Sequence, residues 1–191
     1  AITPDGHWAV GYMHSYLSGA ENYGEYPMLW DLTTMQAVET PGRPTVGSAN
    51  ETARMVRYTG ISADGRYIIG TVDFSYTWNT LEFIYDRQTE KYSQIGFNAD
   101  GTPWTPLLLG ANGIFSPNGK WLAGCAVLQN GTSDETSVPY RYNMETKEIE
   151  FFEDSDVRDI NGVIVDDNGT LYASTPVSYT HLRAHETLRH L

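Results

Sequence analysis

Four times along this chain an Asp-Gly or Asn-Gly pair leads straight into a short apolar run. Ile2-Thr3-Pro4-Asp5-Gly6 precedes His7-Trp8-Ala9-Val10-Gly11, and Ile61-Ser62-Ala63-Asp64-Gly65 precedes Arg66-Tyr67-Ile68-Ile69-Gly70. Phe115-Ser116-Pro117-Asn118-Gly119 precedes Lys120-Trp121-Leu122-Ala123-Gly124, and Val165-Asp166-Asp167-Asn168-Gly169 precedes Thr170-Leu171-Tyr172-Ala173-Ser174. The anchor glycines lie 59, 54 and 50 residues apart. A period of that length, built from strand and turn signals, indicates a propeller or a solenoid. Asp-Gly or Asn-Gly between apolar runs also signals a two-residue type I′ hairpin, because that turn needs φ > 0 at both central residues.

Each unit carries a second aromatic strand ending in Asp or Asn: Met28-Leu29-Trp30-Asp31, Phe83-Ile84-Tyr85-Asp86 and Tyr140-Arg141-Tyr142-Asn143. Each runs into a polar turn, where Asp or Asn bonds backbone amides two residues on. A further strand leaves each turn, for example Lys91-Tyr92-Ser93-Gln94-Ile95. One unit is therefore four antiparallel strands, A to D, which is a propeller blade. Strand alternation puts the tight A–B and C–D turns at one end and the long B–C and D–A connections at the other. Trp8, Tyr67 and Trp121 share one slot after the anchor glycine and are expected to pack between sheets.

The motifs from Ser62 to Gly70, Ser116 to Gly124 and Thr3 to Gly11, with Leu29-Trp30-Asp31, resemble bacterial WD40-like blade repeats of the PD40/TolB type. They are also similar to the HAF-type extracellular repeats. The resemblance covers residues 1–176 and implies an exported bacterial propeller; it implies no particular activity. The expected fold is an all-β propeller fragment of four-stranded antiparallel blades, three complete and part of a fourth. Such a set does not close a ring of four to eight blades, so further blades are expected beyond both ends.

Residues 177–191 abandon the strand pattern and hold three of the five histidines. Val177 to Thr187 resembles a translated transposase adapter of the kind used in sequencing libraries, and the tail is set apart as an artefact. His185-Glu186-Thr187-Leu188-Arg189-His190 is one residue too long for the zinc-protease helix, whose histidines stand at i and i+4. The chain has 191 residues and a net charge of −12, and removing Arg183, Glu186 and Arg189 with the tail leaves −13. That acidity argues against sequence-independent nucleic-acid binding, which needs Lys and Arg to neutralise phosphate. No apolar run is long enough for a membrane-spanning helix.

Chemistry-bearing motifs are weak. Gly60-Ile61-Ser62-Ala63-Asp64 lacks the last glycine of a nucleophile elbow and precedes a hairpin, so Ser62 reads as a strand-end residue. Asn98-Ala99-Asp100-Gly101 lacks the carboxylates of an EF-hand loop and reads as a turn. Cys125 reads as a buried free thiol. No catalytic residue, metal ligand or cofactor is called for. Exposed aromatics beside carboxylates are what a binding face uses, and the long loops supply them. The candidate ligand-binding set is Tyr23, Tyr76, Trp78, Trp104, Glu21 and Asp134. The expected function is a non-catalytic binding or scaffold propeller for a protein, peptide or glycan. The rivals are the accessory propeller of a larger hydrolase, such as a prolyl-oligopeptidase-like peptidase, and a propeller enzyme acting on polysaccharide.

Overall fold

The computed structural model describes residues 1–16, 23–40, 55–73, 80–95, 108–109, 113–128, 136–153, 160 and 162–174. All regular structure among them is β-strand. Blade one comprises β1 (Trp8–Tyr16), β2 (Tyr23–Asp31) and β3 (Gln36–Val38), with Ile2 forming an isolated antiparallel bridge to Ala9 on the other side of β1. Blade two is complete: β4 (Met55–Ile61), β5 (Tyr67–Asp73), β6 (Thr80–Asp86) and β7 (Lys91–Gln94), each antiparallel to the next. In blade three the innermost strand is split into β8 (Leu108–Leu109) and β9 (Ile114–Phe115), followed by β10 (Trp121–Leu128), β11 (Thr136–Asn143) and β12 (Ile149–Phe151). Blade four shows its first hairpin, β13 (Gly162–Val165) and β14 (Leu171–Ser174).

The core lies between blades. Val10 and Leu29 of blade one pack with Val56, Ile68, Val72 and Phe83 of blade two. On the other side of blade two, Ile69, Ile84 and Ile95 meet Leu122, Ala126 and Tyr140 of blade three. Ala123 then meets Val163, Val165 and Leu171 of blade four. Period-2 alternation along the middle strands supplies both faces, because successive side chains point to opposite sides of a sheet. Trp8, Tyr67 and Trp121 do point the same way, each half-buried toward the following blade. Trp8 lies under the turn at Gly65 and Trp121 under the turn at Gly169, where an added Cβ would come within 2.8 and 2.7 Å of the rings. Arg87 braces the first of these contacts: its guanidinium sits 3.7 Å above the Trp8 ring and donates to the Gly65 carbonyl at 2.7 Å.

The tight turns differ in type from the expected two-residue hairpin. Gly65 and Gly119 have φ of 71°, but Asp64 and Asn118 do not have positive φ. The amide of each glycine instead donates to the carbonyl three residues back, Gly65 to Ser62 at 2.8 Å and Gly119 to Ser116 at 2.9 Å. These are longer loops built on a type I turn with left-handed glycine after it. The reason lies in the Ser or Thr three before the glycine. Ser62 Oγ donates to Asp64 Oδ1 at 2.6 Å and accepts from the Tyr67 amide at 2.9 Å, while Asp64 Oδ1 accepts from the Arg66 amide. Thr3 with Asp5, and Ser116 with Asn118, repeat this network atom for atom. All three hydroxyl residues are buried, at 2% exposure or less. In the fourth turn one carboxylate does both jobs: Asp166 Oδ1 accepts from the amides of Asn168 and Thr170. That turn is one residue shorter, so Val165 pairs with Leu171 where Ile61 pairs with Ile68 and Phe115 with Leu122. Leu171 therefore takes the place of Leu122 rather than of Trp121.

The C–D turns match the sequence reading. Asp31 accepts from the amides of Thr33 and Thr34, Asn143 from those of Glu145 and Thr146, and Asp86 from that of Gln88. Four residues beyond the Asp or Asn, Met35, Glu90 and Lys147 all adopt φ near +60°.

Candidate functional site

The strand directions separate two ends. β1 leaves the turn at Gly6 and ends at Tyr16, paired with Tyr23 at the start of β2. β5 leaves Gly65 and ends at Asp73, paired with Thr80. β10 leaves Gly119 and ends at Leu128, paired with Thr136. The far ends of β1, β5 and β10 thus lie opposite the tight turns.

Of the candidate ligand-binding set, Glu21, Tyr76, Trp78, Trp104 and Asp134 lie outside the described residues. Tyr23 is placed by its backbone, at the far end of β2 from Asp31. β2 begins at Tyr23, so Glu25 and Tyr26 are strand residues. Tyr-rich alternation runs on into what reads as a loop, and pairing with β1 extends it.

That extension assembles a cluster at the long-loop end of the joint between blades one and two. His14 faces Glu25 across the β1–β2 ladder, and Tyr12 stands two residues earlier on the same side. Glu25 also forms the single parallel bridge, to Met55, that links β2 to β4. Arg57, two residues along β4, is thereby brought over the carboxylate. Its Nη2 donates to Glu25 Oε1 at 2.8 Å and its Nε donates to Oε2. His14 Nδ1 lies 3.3 Å from Oε1. The guanidinium is 5.2 Å from the Tyr12 ring centre, and the Tyr12 and His14 rings meet edge-on at 5.5 Å. Glu25 is 2% exposed, whereas the side chains of His14 and Arg57 are each 41% exposed.

A buried carboxylate costs several kcal/mol of desolvation unless it is paired and hydrogen-bonded, and a bidentate guanidinium meets both needs. Glu25 is held by that fork and is not a mobile acid. It anchors His14 and Arg57 so that their outer edges, with the Tyr12 ring, form a half-open surface of fixed planar groups. Such a surface can stack on a ligand and exchange hydrogen bonds with it. His14 and Glu25 stand out in the sequence as a histidine outside the tail and a carboxylate among tyrosines. Arg57 and Tyr12 have no local signal, because only the blade-to-blade bridge brings β4 to β2.

Among the described residues, two other carboxylates serve the turns. Hydrogen bonding from Arg66 holds Asp86 below the usual carboxylate value, and hydrogen bonding from Thr3 does the same for Asp5. Burial, with the charge of Glu82 nearby, pushes the half-buried Cys125 thiol up to about 11. A thiol so shifted stays protonated at neutral pH and is a poor nucleophile. Ser62, spent in its turn, is a structural hydroxyl. Among the described residues no helix is long and apolar enough to cross a membrane.

Radially arranged four-stranded antiparallel blades with cores between them define a β-propeller, here a partial one. Solved propellers agree. The chain is similar to the β-propeller domain of the trilobed protease from Pyrococcus furiosus, at TM-score 0.53 and 14% identity over 95% of this chain and 50% of that one. It is similar to TolB from Acinetobacter baumannii, at TM-score 0.51 and 15% identity over 93% of this chain and 37% of that one. It is also similar to dipeptidyl peptidase 4 from Porphyromonas gingivalis, at TM-score 0.55 and 14% identity over 91% and 28%. The chain spans half or less of the length of each. At these identities the likeness establishes the fold alone. No protein-family model and no curated protein matches the chain.

Proposed function

We propose that this chain is a non-catalytic binding or scaffold propeller that takes a peptide or glycan on its long-loop end. The observation that carries this reading is the contrast between the two ends. At the tight-turn end the repeated Ser/Thr–Asp/Asn networks consume the polar groups internally. At the other end a buried carboxylate holds an arginine and a histidine half-exposed beside a tyrosine. Chain order supports assigning Glu21, Tyr23, Tyr76, Trp78, Trp104 and Asp134 to the same end, where they would widen the surface. The resemblance of the repeats to TolB-type and extracellular repeats supports an exported bacterial protein, in the periplasm, on the cell surface or secreted.

Likeness to the propellers of two proteases supports a second reading, an accessory propeller attached to a hydrolase domain. The complete gene distinguishes them: a G-x-S-x-G domain in the same reading frame favours the hydrolase, and its absence favours the binder. The binding reading is tested on peptide and glycan arrays. Tyr12→Ala, His14→Ala, Trp78→Ala and Trp104→Ala are expected to weaken any hit by roughly tenfold or more each, as loss of an aromatic or hydrogen-bonding anchor does. Lys120→Ala, at the opposite end, leaves it unchanged. Hits indifferent to all four long-loop variants would place the site elsewhere.

A further inference from the structure

Two of the four A–B turns place asparagine directly before the turn glycine, as Asn118-Gly119 and Asn168-Gly169. In such a pair the following backbone nitrogen reaches the side-chain carbonyl carbon with little obstruction, because glycine has no Cβ. Both asparagines are exposed. Their glycine amides are also tied alike: Gly119 donates to the Ser116 carbonyl at 2.9 Å and Gly169 to the Asp166 carbonyl at 3.1 Å.

The two side chains differ. Asn118 Oδ1 accepts from the Ser116 hydroxyl at 2.8 Å and from the Lys120 amide at 2.9 Å. Its Nδ2 donates to the Asp167 carbonyl at 3.2 Å, in the turn of the next blade. Asn168 stands in the shorter turn, where Asp166 Oδ1 takes the amides of Asn168 and Thr170 and leaves the asparagine side chain no place in the network. Among the described residues that side chain makes no hydrogen bond. Asp5, Asp64 and Asn118 are exposed at the same place although a described blade follows each of them. The exposure of Asn168 therefore belongs to the turn and not to what adjoins blade four.

We propose that Asn168 is a site of spontaneous covalent modification, closing to a succinimide that opens to aspartate and isoaspartate, and that its hydrogen bonds hold Asn118 back from the same reaction. The Gly169 nitrogen gives its proton to hydroxide and attacks Cγ of Asn168. The N–Cγ bond forms, the Cγ–Nδ2 bond breaks, and Nδ2 leaves as ammonia with a proton from water. Water then adds to one of the two imide carbonyls, and the ring opens to aspartate or to isoaspartate. Solvent supplies the only co-reactant, and each conversion adds one negative charge. Isoaspartate also lengthens the backbone by one atom in the turn that covers Trp121 and whose Gly169 carbonyl accepts from Arg141. This inference does not depend on the ligand-binding reading.

The test is peptide mapping by mass spectrometry of the 191-residue chain after incubation in mildly alkaline buffer, once folded and once in urea. Fragment ions assign each site, so that Asn112, Asn130 and Asn161, which also precede glycine, are read separately. In the folded chain Asn168 is expected to convert roughly tenfold faster than Asn118 or more, because the Asn118 side chain must first release its hydrogen bonds. In urea the two sites are expected to convert at similar rates. Ser116→Ala, shown by circular dichroism to fold, is expected to speed conversion at Asn118 and leave that at Asn168 unchanged. Conversion at Asn168 no faster than at Asn118 in the folded chain would overturn the proposal. A preference for Asn168 that persists in urea would also overturn it, since folding would not be its cause, as would an Asn118 rate unmoved by Ser116→Ala.

Discussion

Ser62 shows how much one side chain does here. The residue, fully buried, donates through its hydroxyl to Asp64 and accepts from the Tyr67 amide, so Ser62→Ala removes two hydrogen bonds and leaves that part-buried amide with one partner fewer. A loss of about 1–3 kcal/mol is expected in chemical denaturation, and Ser62→Thr is expected to restore most of it, since Thr3 makes the same network. Gly124 constrains in a different way. A Cβ there would lie 2.8 Å from the Tyr140 ring, which is packed between blades two and three. Gly124→Ala is expected to cost about 1–3 kcal/mol through overpacking, read as a lower denaturation midpoint. Gly70 stands in the same position under Phe83. The spacing of these glycines is visible in the sequence as the end of each motif, but what they make room for is not.

The hairpin is the element that repeats, and its carboxylates set a pH dependence. Hydrogen bonding from Arg66 lowers the pKa of Asp86, the Thr170 amide lowers that of Asp166, and the Thr3 hydroxyl lowers that of Asp5, each from an ordinary value of 3.8. A group whose folded pKa is depressed contributes stability that is present above its unfolded pKa and lost as pH falls through the folded one. The urea midpoint is therefore expected to be flat from about pH 7 to 5 and to fall below about pH 4. Replacing Asp86 by Asn should shrink that fall, because the Asp86 contribution is already absent. The sequence made the hairpins and the Asp-closed C–D turns legible, since Asp-Gly and Asp-x-x-Thr are local signals. Turn type was not legible: it depends on a Ser or Thr three residues upstream whose hydroxyl must first be buried. The fourth turn misled the alignment for the same reason, because Asp166 replaces that hydroxyl and shortens the loop.

On the scale of the whole molecule, blade count and the separation of two ends could be read from period and alternation. The cluster of Tyr12, His14, Glu25 and Arg57 could not, because it depends on a single bridge, Glu25 to Met55, between strands of different blades. The loop aromatics Tyr76, Trp78 and Trp104 lie outside the described residues, so their part in the binding surface rests on chain order. The central claim is that the long-loop end is the working face of this propeller. Hydrogen–deuterium exchange with and without an array-selected peptide or glycan tests it most directly. The account predicts slower exchange on ligand addition in the segments around residues 12–16, 23–26 and 55–58, with no change in the turns around residues 3–8, 62–67 and 116–121. Protection confined to those turns, with the long-loop segments unaffected, would contradict it.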